Sequence, residues 1–210
     1  LGAAGDNTVV QLLIDTGTTD APQVPVDIRM TEILPAFSLP GDRGRCVAEI
    51  AAAVGPFVSR LAADGRIDGI VSLGGGGGTS IGTAAMRSLP LGIPKVMVST
   101  LASGNTAPYV GTSDIVMMPS IVDVPGLNRL SRSIFTAAAH AVCGMVEARQ
   151  AAAADTAADE KPLIVASMFG NTTACVAEAT AALEAAGYEV LTFHATGTGG
   201  RTMESLIASG

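Results

Sequence analysis

Ile67-Asp68-Gly69-Ile70-Val71-Ser72-Leu73-Gly74-Gly75-Gly76-Gly77-Gly78-Thr79-Ser80-Ile81-Gly82-Thr83-Ala84-Ala85-Met86-Arg87-Ser88-Leu89 is the stretch that decides the fold. It opens as an apolar strand over Ile67 to Leu73, passes through five consecutive glycines and two hydroxyl residues, and reads as a helix from Ile81 to Leu89. Strand, glycine turn and helix in that order are half of a βαβ unit. Five glycines remove every β-carbon from the turn, so its backbone N–H groups can converge on one concave spot beside the partial positive charge of a helix N-terminus. An anion fits such a spot. Thr79 and Ser80 are expected at the N-cap or first turn, where a hydroxyl caps the helix or meets a phosphate oxygen or a phosphate-bound Mg²⁺. The alternative is a tight turn with close strand-to-helix packing, for which one or two glycines suffice.

Outward from this stretch, strands and helices alternate. Upstream, Val9 to Ile14 reads as a strand ending in Asp15-Thr16-Gly17-Thr18, and a loop with four prolines follows over Asp20 to Asp42. Arg43 to Ala63 is an amphipathic helix, with Gly55-Pro56 expected to kink or divide it and Gly65 to close it. Downstream come a strand at Lys95 to Ser99 with the polar loop Thr100 to Thr106, a strand at Asp114 to Met118, and a long helix from Leu127 to Gln150. Residues 151–161 carry little apolar bulk and read as a linker. The alternation then restarts with a strand at Leu163 to Ser167, a helix at Ala174 to Ala186, a strand at Tyr188 to Phe193 and a final helix from Arg201. The pattern defines an α/β fold of Rossmann-like parallel sheets with flanking helices: a first subdomain over residues 1–150 and, from 162 to 210, the start of a second, incomplete one.

The composition of the 210 residues narrows the function. Lys and Arg total 12 against 19 Asp and Glu, a net charge of −7, which provides no basic field for a nucleic-acid backbone. With aromatic residues at 3% and no Trp, bulky aromatic recognition is disfavoured. No apolar run approaches the roughly 20 residues that a membrane helix requires, and a cytoplasmic location is the default expectation. Cys46, Cys143 and Cys175 are odd in number and lie in apolar helical patterns, as reduced core thiols do, and neither His140 nor His194 pairs with a Cys at metal-ligand spacing. The first residue is Leu1 and the helix begun at Arg201 stops at Gly210, so the chain reads as a piece of a longer one.

Three strand-end loops gather the candidate binding residues: Gly74, Gly75, Gly76, Gly77, Gly78, Thr79 and Ser80; Ser99, Thr100, Ser103 and Gly104; and Thr196, Gly197, Thr198, Gly199, Gly200 and Arg201. No Lys follows the last glycine, so the first loop is not a Walker motif, and the acidic residue of the dinucleotide fingerprint is missing downstream, which weakens a nicotinamide reading. Asp15 and Asp123 could meet ribose hydroxyls or Mg²⁺, though Asp123 is better placed to cap the helix near Leu127. His194, at a strand's carboxyl end, is the candidate general acid or base, while His140 falls mid-helix among alanines. No Ser–His–Asp or Cys–His arrangement can be read.

The runs SLGGGGGTSIGTAAMRSLPLGIPKVMVST from Ser72, LASGNTAPYVGTSDIVMMPSIVDVPGLNRLSRSIFTAAAHAVCGM from Leu101, PLIVASMFGNTTACV from Pro162 and YEVLTFHATGTGGRTMESLI from Tyr188 resemble the ATP-binding family named for the tomato mosaic virus resistance protein. The resemblance covers nearly the whole chain apart from the proline-rich loop and the linker. It implies two Rossmann-like subdomains that bind ATP and, in most members, a barrel-like domain further on; on the reading of the loops themselves, the phosphates of ATP, with Mg²⁺, are expected against Gly74 to Ser80, Ser99 to Thr106 and Thr196 to Arg201, at the cleft between subdomains. It also implies a βα unit ahead of Val9, of whose helix Leu1 to Asn7 would be the end. The chain departs from the family pattern at Asn171 and Ala174, where an apolar residue and a proline are usual, and at Gly76, where Ser is common. The plant member is similar to an inhibitor that binds viral replication proteins, and antiviral activity is not carried over. The resemblance thus favours nucleotide binding. An enzyme acting on a small phosphorylated or carboxylated metabolite is the alternative, and a hydride-transferring dehydrogenase ranks third. Leu127 to Gln150 carries more apolar and small surface than one sheet face requires, which points to a homo-oligomer using this helix or Tyr109 to Met118, or else to a helix enclosed between the subdomains.

Overall fold

The computed structural model describes residues 10–18, 22, 24–35, 41–155 and 161–209. The chain forms two compact units, one of Leu1–Val110 with Asp114–Glu147 and one of Gly111–Ser113 with Ala148–Gly210.

In the first unit a three-stranded parallel sheet, order β1-β2-β3, is built from Ile70–Gly74, Lys95–Ser99 and Val116–Pro119. The central strand β2 is buried along its whole length, as its Val96-Met97-Val98 run predicts for a strand covered on both faces. One face is packed by α3 (Gly76–Arg87), with α2 (Arg43–Ala63) outside it. α5 (Arg129–Asp155) lies on the other face, where Ala138, Ile134, Phe135, Val142 and Met145 meet Val96, Val98 and Met118. Short helices α1 (Met30–Ile33) and α4 (Ala107–Val110) complete the unit. β1 is less buried than its composition suggests: Val71 and Leu73, on the α5 face, stay 44% and 42% exposed.

α2 has the predicted bounds, for readable reasons. The Asp42 carboxylate accepts from the Arg45 N–H at its start. Cys46, Ile50, Val54, Val58 and Leu61 form a buried stripe. At its end Gly65 adopts φ +66° while its N–H reaches Ala62 and the Arg66 N–H reaches Leu61, a Schellman closure. The helix runs through Gly55-Pro56 as one element. By length and composition α2 is apolar enough to cross a membrane, contrary to the reading that no such run exists, but its stripe faces the core shared with α3.

Other boundaries move. Val10 to Ile14 forms no ladder strand and contributes one parallel bridge, Ile14 to Ile28; Val9, Leu1 to Asn7 and parts of the proline-rich loop lie outside the described residues. α5 extends through Ala151 to Asp155, the first half of the expected linker, because alanine favours helix over coil. Asn128, not Asp123, caps α5: its Oδ1 accepts from the N–H groups of Leu130 and Ser131, and Ser131 Oγ returns a bond to the Asn128 N–H. Ala138 is fully buried against the sheet, so a charge placed there reports on the core and not on contact between copies. Of the cysteines, only Cys46 is buried; Cys143 is half-buried and Cys175 exposed.

The second unit contains a two-stranded parallel sheet of β4 (Leu163–Met168) and β5 (Glu189–His194), a single 3₁₀ turn at Gly170–Thr172, and helices α6 (Thr173–Ala185) and α7 (Gly199–Ser209). The order matches the predicted second α/β unit.

One interaction at the amino end of the first sheet escaped the sequence reading. Lys95 is fully buried, and its Nζ donates to the carbonyls of Pro90 and Ile93 at 2.7 and 3.0 Å and to Asp114 Oδ1 at 2.6 Å. Asp114 Oδ2 accepts from the Gly92 N–H at 2.7 Å. Partial burial alone would raise the Asp114 pKa, but the bonds from Lys95 and Gly92 outweigh it and hold the carboxyl below its ordinary range. With the folded pKa depressed, this contribution is complete above the ordinary carboxylate range and disappears as pH falls through the folded value. Replacing Asp114 by Asn leaves a buried ammonium without its counter-charge; since the carboxylate side chain is 41% exposed, the expected loss is about 2–3 kcal/mol, below that for a fully buried pair. Urea denaturation of wild type and Asp114→Asn should show this gap at pH 7 and a narrower one at pH 3.

Candidate functional site

The carboxyl ends of β1 and β2 meet at the glycine run. α3 begins inside that run: Gly75 is its N-cap, Gly76, Gly77 and Gly78 form its first turn, and the Thr79 N–H already bonds to the Gly75 carbonyl at 2.8 Å. The expectation that Thr79 and Ser80 would sit at the N-cap or first turn is thereby corrected, because the helix starts five residues before Ile81, where its apolar pattern begins. Two glycines explain how. A β-carbon on Gly74 would lie 2.6–2.8 Å from backbone atoms of Gly78 and Thr79, and one on Gly82 would collide with the Ser72 side chain. The helix therefore rests directly on the strand, a distance that only glycine permits.

The hydroxyl residues divide into two groups. Thr79 and Ser99 are fully buried: Thr79 Oγ1 lies 2.6 Å from Ser99 Oγ and 3.4 Å from the Gly74 carbonyl, while Ser99 Oγ accepts from the Leu101 N–H. They tie the ends of β1 and β2 together and face no solvent. Ser80 Oγ donates back to the Gly76 carbonyl at 3.1 Å. Thr100 and Ser103 are exposed, and neither hydroxyl has a partner among the described residues. Thr100 Oγ1 stands 3.8 Å from the Cβ position of Gly75, and the Thr100 N–H holds the Gly74 carbonyl at 3.2 Å. The Gly104 N–H closes its own turn onto Leu101.

What remains open is the first turn of α3. The N–H groups of Gly76, Gly77 and Gly78 have no intrahelical acceptor, and nothing lies within 4 Å of a β-carbon built on Gly76. This arrangement offers three donors, a helix dipole and the Thr100 hydroxyl to an anion. No cation occurs in residues 74–80 or 99–106, and among the described residues no group of three His, Cys, Asp or Glu could hold a metal ion. Asp15 accepts from the Gly17 N–H and Asp123 from the Val124 N–H, so each holds its own turn.

The third loop belongs to the second unit. Gly197 has φ +69°, and Gly199 opens α7 so close to β5 that a β-carbon would meet the His194 carbonyl oxygen, which no side chain tolerates. Gly200 faces open space, and Thr198 receives the first bond of the helix from the Thr202 N–H. Arg201 is exposed, without a partner among the described residues. His194 is exposed with its Nδ1 2.7 Å from Thr196 Oγ1 and 3.3 Å from the Thr196 N–H, and its ring stands edge-on to Phe169 at 6.4 Å. Because a backbone N–H points at Nδ1, that nitrogen accepts and the proton sits on Nε2. His140 is exposed, its Nδ1 donating to the Thr136 carbonyl at 2.9 Å.

Parallel strands, crossover helices and a glycine-built turn at the strand ends define a Rossmann-like α/β protein. The chain belongs to the family described as Uncharacterised protein family (UPF0261), whose N-terminal domain matches residues 3–151 and whose C-terminal domain matches residues 161–210. It is 49% identical over 206 residues to a UPF0261 protein of Mesorhizobium japonicum, covering 94% of this chain and 49% of that one. A Clostridium tetani UPF0261 protein is 54% identical over 169 residues, 80% of this chain and 41% of that one. The ToMV resistance protein Tm-1(GCR237) of Solanum lycopersicum is 44% identical over 169 residues, 80% of this chain and 22% of that one, which bears out the resemblance seen in the sequence. The chain spans about half the length of the bacterial relatives it matches.

The two roles of the glycines separate by substitution. Gly74→Ala forces a β-carbon into the backbone of α3 and should cost about 1–3 kcal/mol, whereas Gly76→Ala, in open space, should stay within about 0.5 kcal/mol of wild type. Thermal unfolding of both variants decides this, and equal midpoints would refute the close-packing account of Gly74.

Proposed function

We propose that the first unit binds the phosphates of a nucleotide, with ATP the leading ligand, at the first turn of α3. One observation carries the reading: Gly76 stands in open space at the start of α3, where three N–H groups lack an intrahelical acceptor, at the carboxyl end of a parallel strand where α/β sheets take their ligands. The exposed Thr100 and Ser103 hydroxyls supply further bonds from the adjoining loop. The site has no carboxylates of its own for a metal, so Mg²⁺ would arrive on the phosphates. The loop from Thr196 to Arg201, also a glycine turn at a helix start and with a cation that is unpaired among the described residues, is a second candidate place for an anion.

Calorimetric titration of the full-length protein with Mg-ATP should give saturable heat together with slowed amide exchange at Gly75 to Ser80. Gly76→Val sets a side chain in this open space and should weaken binding about tenfold or more. Absence of both heat and protection in wild type would overturn the proposal.

A second reading, an enzyme acting on a small phosphorylated or carboxylated metabolite, draws on the His194 geometry, in which Thr196 engages Nδ1 and leaves the exposed Nε2–H to donate a hydrogen bond to a substrate oxygen. Under it, His194→Ala would reduce turnover of the full-length enzyme on its substrate by about 10²-fold or more, and unchanged turnover would remove His194 from the chemistry.

A further inference from the structure

We propose that the loop from β3 into α5, together with the first turns of that helix, is a docking surface for an acidic segment of a partner protein that carries large apolar side chains. The proposal is independent of the phosphate reading of α3. Leu127, Asn128, Arg129, Arg132, Ser133 and Thr136 line an open-sided cleft of about 610 Å³. Arg129, Arg132, Ser133 and Thr136 fall at i, i+3, i+4 and i+7, so they share the face of α5 opposite the one that Ile134, Phe135 and Ala138 set against the sheet. A cleft open along one side does not enclose a small molecule, but it admits a length of chain.

Two features of this surface serve no purpose in the fold, and the first is strain. Ile121, at φ +63°, is the only non-glycine residue with positive φ among the described residues, and a β-branched side chain tolerates that region poorly. The turn around it is closed by the Val122 N–H on the Ser120 carbonyl at 2.7 Å. Ser120 holds it from beneath: it is buried, its N–H donates to the Ser99 carbonyl at 3.1 Å and its hydroxyl to the Val122 carbonyl at 2.6 Å. Yet the strained residue secures no core contact, since Ile121 is 72% exposed, and Leu127, further along the same loop, is 67% exposed. Strain held in this way displays a side chain to something outside the fold.

The second feature is charge. Arg129 and Arg132 stand in the first four residues of α5, where the helix dipole disfavours cations, and neither guanidinium has a partner among the described residues. Asp123, the nearest acid in sequence, spends its carboxylate on the Val124 N–H at 2.8 Å, and residues 124–146 contain no Asp or Glu. Two unpaired guanidinium groups beside exposed leucines complement carboxylates carried with apolar side chains. A nucleic-acid backbone is excluded as the partner by the net charge of −7. The surface is also preorganised, because Asn128 and Ser131 bond reciprocally at the start of α5 and Ser120 ties the loop to β2, so binding has little left to order.

The test screens the full-length protein, without nucleotide, against a display library of random short peptides and measures the selected peptides by calorimetry at two ionic strengths. Selection should enrich Asp or Glu around a large apolar residue. Arg129→Gln combined with Arg132→Gln should weaken the selected peptides about tenfold or more and flatten the salt dependence, while Arg149→Gln, at the far end of the same helix, should leave them within about twofold. Ile121→Gly should weaken them about fivefold without lowering the thermal midpoint, because glycine adopts the positive φ freely; a residue kept for the fold would lower the midpoint. Failure to enrich acidic peptides overturns the proposal, as does equal affinity of the selected peptides for the double arginine variant. A midpoint that falls in Ile121→Gly overturns it too, by returning that turn to the fold. Capture of the protein by phosphatidylserine vesicles, with no acidic peptide selected, would overturn it in favour of a lipid surface.

Discussion

The contact on which the first unit depends is the direct seating of α3 on β1. With no β-carbon at Gly74 or Gly82, the helix approaches the strand until the backbone of Gly78 covers Gly74 and the Ser72 side chain fills the space at Gly82. Moving the helix this close draws Thr79 beneath the surface, where its hydroxyl meets that of Ser99 and clamps β1 to β2. It also sets the height of the first turn, so that Gly76 ends up clear of every neighbour while Gly77 is met by Val47 from α2. The open first turn, the clamp and the contact of Val47 with Gly77 are thus one packing decision seen from three sides.

Much of this was legible in residue order, and the exceptions have physical causes. α2 could be placed to the residue because a stripe of period near four lies between an Asp cap and a glycine in the left-handed region. β2 was legible because both of its faces are apolar. The start of α3 was not, since glycine is among the weakest helix formers and only tertiary contact with β1 makes it helical at Gly76 to Gly78. Lys95 stood at the head of an apolar strand with nothing nearby in sequence to announce its partner, which lies nineteen residues on at Asp114. The cap of α5 was available in Asn128-Arg129-Leu130-Ser131, a reciprocal capping pair, but Asp123 drew attention as the acidic residue upstream.

The site was legible as a set of loops but not as a set of atoms. Thr79, Ser99, Thr100 and Ser103 are interchangeable in sequence, all small hydroxyl residues at strand ends. The structure divides them by depth: the first two bond to each other and to the backbone, and the last two face outward.

The chain has two lysines, one in each unit, and they differ completely in access. Lys161 is exposed, whereas the Lys95 amine is enclosed by two carbonyls and a carboxylate. An amine-directed acylating reagent would therefore modify Lys161 in the native protein at once and reach Lys95 only through opening of the first sheet. The acylation rate at Lys95 thus becomes a built-in clock for that opening, readable by mass spectrometry without introducing any foreign label.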